Sequence, residues 1–128
     1  MQKLTRSEFT SSVSQMAGAV YDFHERFGLS AVEARTAPEE ALAKLRTRLS
    51  LLIEEVGEHA TELNRGNLNE AMAELADVAF VVLGTLLVLD ESGRDASHQV
   101  TVKNNGKTAE SHALSQSSGK LVRRPRDA

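Results

Sequence analysis

Hydrophobic side chains recur at intervals of three and four residues along most of this chain, which is the period of an amphipathic α-helix. The first such segment runs from Leu4 to Phe27 and is followed by a glycine, which commonly ends a helix. A second segment runs from Thr36 to Gly66. At its start, Thr36 is the predicted N-cap, Glu39 is its capping-box partner, and Pro38 is tolerated in the first turn.

A third hydrophobic segment follows a predicted tight turn at Arg65-Gly66-Asn67 and ends by Gly93. Its second half is apolar on nearly every side, which is typical of a helix that is buried all round. In a chain of 128 residues, such a helix indicates a subunit interface. We therefore predict an all-α fold in which long antiparallel helices, joined at Gly66, form a bundle that dimerisation completes.

The periodic signal weakens after Gly93. The next residues are compatible with a short helix capped by Asp95, or with a short strand over His98–Val102. The final segment is rich in Ser, Gly and Arg, and we interpret it as a loop or mobile tail. The predicted organisation is one domain, in which residues 1–97 form the helical core and residues 98–128 add a short element and a basic tail.

Composition and charge narrow the classes of function. The chain has no cysteine, which excludes disulfides and thiolate metal sites and suits the cytoplasm. The net charge of −3 is unevenly distributed, because residues 98–128 carry +4 and the remainder carries −7. The net negative charge of residues 1–97 argues against a nucleic-acid partner. The longest apolar stretch, Val78 to Leu89, is too short to span a membrane.

Five carboxylates take matching positions on the second and third predicted helices. A rotation of about 100° per residue places Glu54, Glu55 and Glu58 along one edge of the second helix. Glu74 and Asp77 stand three residues apart on the third helix, again on one face. Glu58 and Glu74 are equally far from the turn glycine, about 12 Å along each helix, so the two sets are expected to face each other.

This concentration of negative charge is unfavourable without a partner, and a divalent cation is the simplest partner. Like charges four residues apart on a helix, such as Glu54 and Glu58, destabilise it by a few tenths of a kcal/mol. Asp77 also has apolar helical neighbours, among them Phe80 and Val81, and a carboxylate in such surroundings must pair, protonate or bind a cation. Oxygen ligands alone favour Mg²⁺, with Mn²⁺ as a substitute.

Two other interpretations of the carboxylates agree less well with the pattern. A solvated acidic helix face explains the first three glutamates alone, but it does not explain the matched pair on the next helix. A di-iron bundle requires Glu and His three residues apart on two helices. Glu55 and His59 are four apart and the third helix has no histidine, so His59 is expected to flank the site.

The carboxylate pattern resembles the signature of a known superfamily. Glu54-Glu55-x-x-Glu58, followed after fifteen residues by Glu74-x-x-Asp77, is similar to the EExxE…ExxD motif of the all-α nucleoside triphosphate pyrophosphohydrolases. That superfamily includes MazG, the dimeric dUTPases and phosphoribosyl-ATP pyrophosphohydrolase. The stretches "VYDFHERFGL", "KNNGK" and "GKLVRRP" also resemble segments of small MazG-like members, so the similarity extends over roughly residues 10–125.

The resemblance implies a four-helix-bundle-like MazG fold and Mg²⁺-dependent hydrolysis between the α- and β-phosphates of a nucleoside triphosphate. It implies catalytic roles for Glu54 and Glu55, with Glu54 holding a further metal or orienting the attacking water. The implied metal ligands are Glu55, Glu58, Glu74 and Asp77. The implied contacts to phosphate or sugar are Asn104, Lys107, Lys120, Arg123 and Arg124. The implied lining of a base pocket is His24 and Phe27.

Family members are dimers or dimers of dimers, so the resemblance implies a homo-oligomer. The segment between the two half-motifs is short, which favours a compact MazG-like or phosphoribosyl-ATP-type enzyme. We expect cytoplasmic removal of deoxynucleotides, with dUTP and dCTP as the leading substrates. Phosphoribosyl-ATP hydrolysis and a non-catalytic helical oligomerisation module are the alternatives that the sequence leaves open.

Overall fold

Four helices and two short strands make up the computed structural model, which describes residues 2–126. In chain order they are α1 (Arg6–Arg26), α2 (Pro38–Asn64), α3 (Leu68–Val88), α4 (Glu91–Asn105), β1 (His112–Leu114) and β2 (Leu121–Arg123). The predicted all-α class is confirmed. The chain divides into two compact units, one ending at Arg94 and the other beginning at Asp95.

The first helix begins with a capping box that the sequence analysis did not identify. The backbone N–H of Glu8 donates to the Thr5 hydroxyl, and the backbone N–H of Thr5 donates to the Glu8 carboxylate, both at 3.1 Å. This reciprocal pair satisfies donors that a helix start otherwise leaves without partners. After the helix, Gly28 takes a φ of +63°, a left-handed conformation that glycine adopts without strain.

The predicted capping box at the start of α2 is wrong. Ala37 occupies the N-cap position and makes no side-chain capping bond, while Pro38 is the first helical residue. The Thr36 hydroxyl donates instead to the Glu33 carboxylate at 2.8 Å, within the preceding turn. The connector between α1 and α2 is held by a hydrogen bond in which the Val32 N–H donates to the Val88 carbonyl at the end of α3.

A short turn reverses the chain between α2 and α3. Gly66 takes a φ of +75°, and the Asn67 N–H donates to the Glu62 carbonyl at 3.0 Å. Because α2 is uninterrupted over 27 residues, the two helices pack along much of their length as an antiparallel pair. The α1 helix packs against α3. This arrangement sets the register that brings the carboxylates of α2 and α3 together.

The apolar core within the chain is small. Its buried hydrophobic residues are Val20, Val32, Ala41, Ala71, Val81 and Val88. The expectation that the second half of α3 is buried all round is met only in part within a single chain, because Val81 and Val88 are buried whereas Val82 is 39% exposed. In the first half of α3, Leu68, Met72 and Leu75 are each more than half exposed. The α2 helix also carries exposed leucines. Large apolar surfaces of this kind on a soluble chain mark sites where another molecule binds.

By length and composition alone, α3 is apolar enough to cross a membrane, contrary to the estimate from the shorter stretch Val78–Leu89. The central helix of a soluble bundle passes the same test. Here α3 packs against both α1 and α2 and carries Glu74 and Asp77 near its middle. Carboxylates at that position are costly in a bilayer, which favours a bundle helix.

Of the two alternatives predicted for the residues after Gly93, the structure confirms the helix and not the strand. Residues 98–102 are helical, within an α4 that begins at Glu91 rather than at Asp95, so the predicted strand is wrong. The segment interpreted as a loop or tail contains an antiparallel hairpin, in which Ala113 pairs with Val122. The turn between its strands includes Gly119 with a φ of +70°. Strands of three residues fall below the length that a sequence pattern can reveal.

Candidate metal and substrate site

Three carboxylates from the two antiparallel helices meet at one point. Glu55 and Glu58 of α2 and Glu74 of α3 each offer an oxygen, and these oxygens all lie within 4.8 Å of one another. The structure thus brings Glu58 and Glu74 together, as their equal distances from the turn predict. Three negative charges at this separation repel one another, and a shared cation would remove the repulsion.

Two oxygens in this cluster are buried without hydrogen-bond partners in the described part of the chain. They are Oε2 of Glu55 and Oε2 of Glu74. Burial raises the pKa of the Glu55 carboxyl, and the charges of Glu58, Asp77 and Glu54 raise it further. Burial likewise raises the pKa of the Glu74 carboxyl, followed by its interactions with Glu58 and Asp77. Buried oxygens without donors are suited to a metal ion.

The other two predicted carboxylates border the cluster. Glu54 is exposed beside Glu55 on α2. Asp77 is also exposed, so the expectation that apolar neighbours enclose it is wrong. Its charge nevertheless acts on both Glu55 and Glu74. Both residues therefore lie where they can add ligands or contact a metal-bound substrate.

Two nearby residues are engaged elsewhere. Glu62 forms an ion pair with Arg65 at 3.0 Å and accepts from the side chain of Asn67 at 2.8 Å, so it stabilises the turn. The Nδ1 atom of His59 lies 2.7 Å from the Ala71 carbonyl. Among residues 2–126, the cluster of candidate metal ligands contains carboxylates only. This agrees with a flanking position for His59 and with a hard, oxygen-binding cation.

A cavity of about 370 Å³ opens beside the carboxylates. Its lining is Phe23, His24, Arg48, Leu51, Glu55, Asp77, Phe80 and Val81. His24, predicted to contact substrate, is buried at 5% exposure. Phe27 does not line this cavity; its ring packs on Phe23 at a centroid distance of 4.7 Å and is 60% exposed.

Arg48 is the charged residue of this lining that the sequence analysis missed. Its Nε donates to the Thr85 hydroxyl at 3.0 Å, and its Nη2 donates to the Val81 carbonyl at 3.1 Å. The sequence did contain a signal. Arg48 lies three residues after Leu45 and four before Leu52, so it interrupts the apolar stripe of α2 with a cation.

The remaining predicted contacts belong to the second unit. Asn104 is near the end of α4, and its carbonyl accepts from the Lys107 N–H at 3.1 Å. Lys120 precedes β2, and its carbonyl accepts from the Ser115 N–H at 2.7 Å. Arg124 follows β2 and its Nε donates to the Ala109 carbonyl at 2.9 Å. Arg123 is the last residue of β2 and is exposed.

These pKa changes make a prediction about stability. Glu55 and Glu74 hold their protons more tightly in the folded, metal-free protein than in the unfolded chain. Their protonation therefore contributes fully to the stability of the fold at and below their ordinary pKa of 4.5. This contribution is lost as the pH rises through the raised pKa values. At pH 7, saturating Mg²⁺ is expected to raise Tm by on the order of 5–10 °C, and the gain should shrink as the pH falls.

The Glu74→Gln variant tests the same prediction without metal. It is expected to melt at a higher temperature than the metal-free wild type at pH 7 and to lose most of its response to Mg²⁺. Thermal unfolding followed by circular dichroism measures both effects. Glu70→Gln, an exposed carboxylate one turn away on α3, is the control and should respond to Mg²⁺ like the wild type. An unchanged Mg²⁺ response in Glu74→Gln would contradict the assignment.

A comparison with known protein families gives one match. The model of the family described as phosphoribosyl-ATP pyrophosphohydrolase matches residues 20–95, which is more than half of the chain. The matched range includes all five carboxylates, His24 and Arg48. No curated protein and no solved structure matches the chain significantly.

Proposed function

Because the chain belongs to the phosphoribosyl-ATP pyrophosphohydrolase family, within the MazG-like superfamily, we propose that it hydrolyses a deoxynucleoside triphosphate to the monophosphate and pyrophosphate. The family's activity makes the protein a hydrolase of a phosphoanhydride bond in a nucleotide. The observation that carries the proposal is the meeting of Glu55, Glu58 and Glu74 oxygens within 4.8 Å, next to a cavity.

The carboxylates fit a divalent cation, and we assign Mg²⁺ to them. Glu55, Glu58 and Glu74 would hold it, with Asp77 as a further ligand from the same face of α3. Mn²⁺ prefers similar oxygen ligands and is the expected substitute. A metal in such a site neutralises phosphate charge and lowers the pKa of bound water. This supplies the electrostatic stabilisation on which phosphoryl transfer chiefly depends.

Glu54 and Glu55 are assigned the catalytic roles among the protein's own groups. Exposed Glu54 would orient the attacking water and accept its proton. Glu55, which lines the cavity, would hold the metal on the side of the cluster that faces the substrate. The water oxygen bonds to the α-phosphorus as the bond to the bridging oxygen breaks, and pyrophosphate leaves. The raised pKa of Glu55 and Glu74 means that both must lose their protons to act as ligands, so activity is expected to fall as the pH decreases through these raised pKa values.

The basic residues of the second unit are assigned to the substrate by their resemblance to family motifs. Lys107 and Asn104 would contact the phosphates or the sugar, and Lys120 and Arg124 would contact the phosphates. The physical support is charge: the triphosphate and the carboxylates are all negative, and residues 98–128 carry a net charge of +4. His24 is assigned to the pocket for the base.

We further propose that the active form is a homodimer or a dimer of dimers. An apolar cavity of about 400 Å³ lies between α2 and α3, with Leu45, Leu49, Leu52, Val82 and Leu86 among its lining. Leu49 is 52% exposed in the chain alone. Because this surface is apolar and partly exposed in the single chain, a second copy of α2 and α3 would cover it and complete a four-helix bundle.

The substrate proposal is tested with a panel of purified triphosphates in the presence of Mg²⁺. The panel includes dUTP, dCTP, dATP and phosphoribosyl-ATP, and kcat/KM is determined for each. We expect dUTP or dCTP to be preferred, in keeping with a cytoplasmic role in removing unwanted deoxynucleotides. A higher kcat/KM for phosphoribosyl-ATP than for every deoxynucleotide would overturn the substrate proposal and leave the reaction class intact.

A further inference from the structure

Arg48 is a half-buried cation without a carboxylate partner. Within residues 2–126, its guanidinium forms no ion pair, and its two hydrogen bonds go to the neutral oxygens of Thr85 and Val81. The other N–H groups of the guanidinium have no acceptor in that part of the chain. Removing a cation from water without an opposite charge is costly, so a structural role alone does not account for an arginine here.

His24 lies against Arg48 and is also incompletely satisfied. Its side chain is buried, and its Nδ1 has no hydrogen-bond partner among the described residues. Gly84 of α3 allows this close packing, since a Cβ there would lie 2.6 Å from His24 Nε2 and 2.7 Å from Arg48 Nη2. Two polar side chains with unused hydrogen-bonding groups thus line the same cavity.

The position of this pair along the helices relates it to the carboxylates. Arg48 is seven residues before Glu55, which is about two turns or 10 Å along α2. Because α3 runs antiparallel to α2, Asp77 lies at the level of Glu55, and Gly84 lies at the level of Arg48. Between them, Phe23, Leu51 and Phe80 provide apolar walls. A nucleotide with its phosphates at the carboxylates would extend its base toward Arg48.

We propose that Arg48 determines base specificity by donating hydrogen bonds to a ring carbonyl oxygen, so that the cavity accepts oxo-bases such as uracil and discriminates against adenine. The inference rests on the proposed function and extends it from a reaction to a class of base. The apolar walls bind the faces of the base, and the Arg48–His24 pair contacts its edge.

The chemistry of the guanidinium supports this selection. Arginine offers only donors and no acceptor. Uracil presents two carbonyl oxygens, and a donor-only group can bind either of them. Adenine has no carbonyl oxygen, and beside its ring acceptors N1 and N7 the amino group presents a donor toward a second N–H of the guanidinium fork. A site that contains buried polar groups also rejects a ligand that leaves them unpaired.

The direct test compares the binding of two non-hydrolysable analogues, α,β-imido-dUTP and α,β-imido-dATP, by titration calorimetry with Mg²⁺. The wild type is expected to bind the uracil analogue about 10–100-fold more tightly, the range that one good side-chain-to-base contact provides. Arg48→Gln should remove most of this preference by weakening uracil binding. Arg6→Gln, at an exposed arginine at the start of α1, is the control and should keep the wild-type preference.

The outcomes separate this inference from the proposed function. Equal or tighter binding of the adenine analogue by the wild type overturns the role of Arg48, even if the enzyme hydrolyses triphosphates. An unchanged preference in a folded Arg48→Gln variant overturns it as well. If Arg48→Gln does not fold, the preference of the wild type still decides the class of base. The role of Arg48 is then tested with Thr85→Val, which removes the acceptor of Arg48 Nε and should reduce the preference for the uracil analogue. Selective binding without any hydrolysis would support the pocket while refuting the proposed reaction.

Discussion

Replacing Glu58 by Gln is expected to lower kcat/KM for the preferred triphosphate by about 10²–10³-fold or more, while the fold is retained. The Glu58 carboxylate acts on both Glu55 and Glu74. Glutamine has nearly the same shape but lacks the charge, so it keeps the packing and weakens the affinity for the cation. Asp77→Asn is expected to act in the same direction.

The stability of the variant distinguishes a lost ligand from a damaged fold. Because Glu58→Gln removes repulsion within the cluster, its metal-free Tm should equal or exceed that of the wild type. Steady-state kinetics over a range of Mg²⁺ concentrations should show a higher metal requirement as well as a lower maximal rate. Glu70→Gln serves as the control and should retain wild-type kinetics. Full activity in Glu58→Gln would rule out the carboxylate cluster as the metal site.

The second large effect concerns assembly. Leu49→Asp places a charge in the apolar surface formed by α2 and α3, where a second copy is proposed to pack. An unpaired charge buried in an interface is strongly destabilising, so the dimer dissociation constant is expected to rise at least about 100-fold. Thr47→Asp, at an exposed residue outside that apolar cavity, is the matched control.

Sedimentation velocity over a range of protein concentrations measures this effect. The wild type and Thr47→Asp should sediment as a dimer or a larger homo-oligomer, and Leu49→Asp should sediment as a monomer or lose its helical circular dichroism. The loss of helix is an accepted result here, because the core within one chain consists of small side chains. A wild type that stays monomeric and stable at every concentration would refute the proposed assembly.

The sequence was sufficient to predict the helices and the meeting of the carboxylates, because both follow from periodicity. Apolar residues at intervals of three and four reveal helices, and equal distances of Glu58 and Glu74 from Gly66 determine their register. The choice between two nearby hydrogen-bond partners was harder to predict. Thr36 had a suitable residue at Glu39, but its hydroxyl bonds to Glu33 instead, and no sequence pattern ranks two such partners.

Long-range packing accounts for the other differences. Arg48 became a candidate only when α1 and α3 placed His24, Val81 and Thr85 around it, contacts between residues that are distant in the sequence. The exposure of Asp77 likewise depends on packing between helices, which helical periodicity does not specify. The hairpin pairing β1 with β2 is too short for an alternating pattern to be recognised.

The identity of the released phosphate tests the central claim most directly. The protein is incubated with dUTP and Mg²⁺, and the products are followed by phosphorus nuclear magnetic resonance, with Glu58→Gln as the background control. We predict equal amounts of dUMP and pyrophosphate, with no orthophosphate, because the bond between the α- and β-phosphates is cleaved. Orthophosphate and dUDP would contradict the account, since they require cleavage of the terminal phosphoanhydride bond.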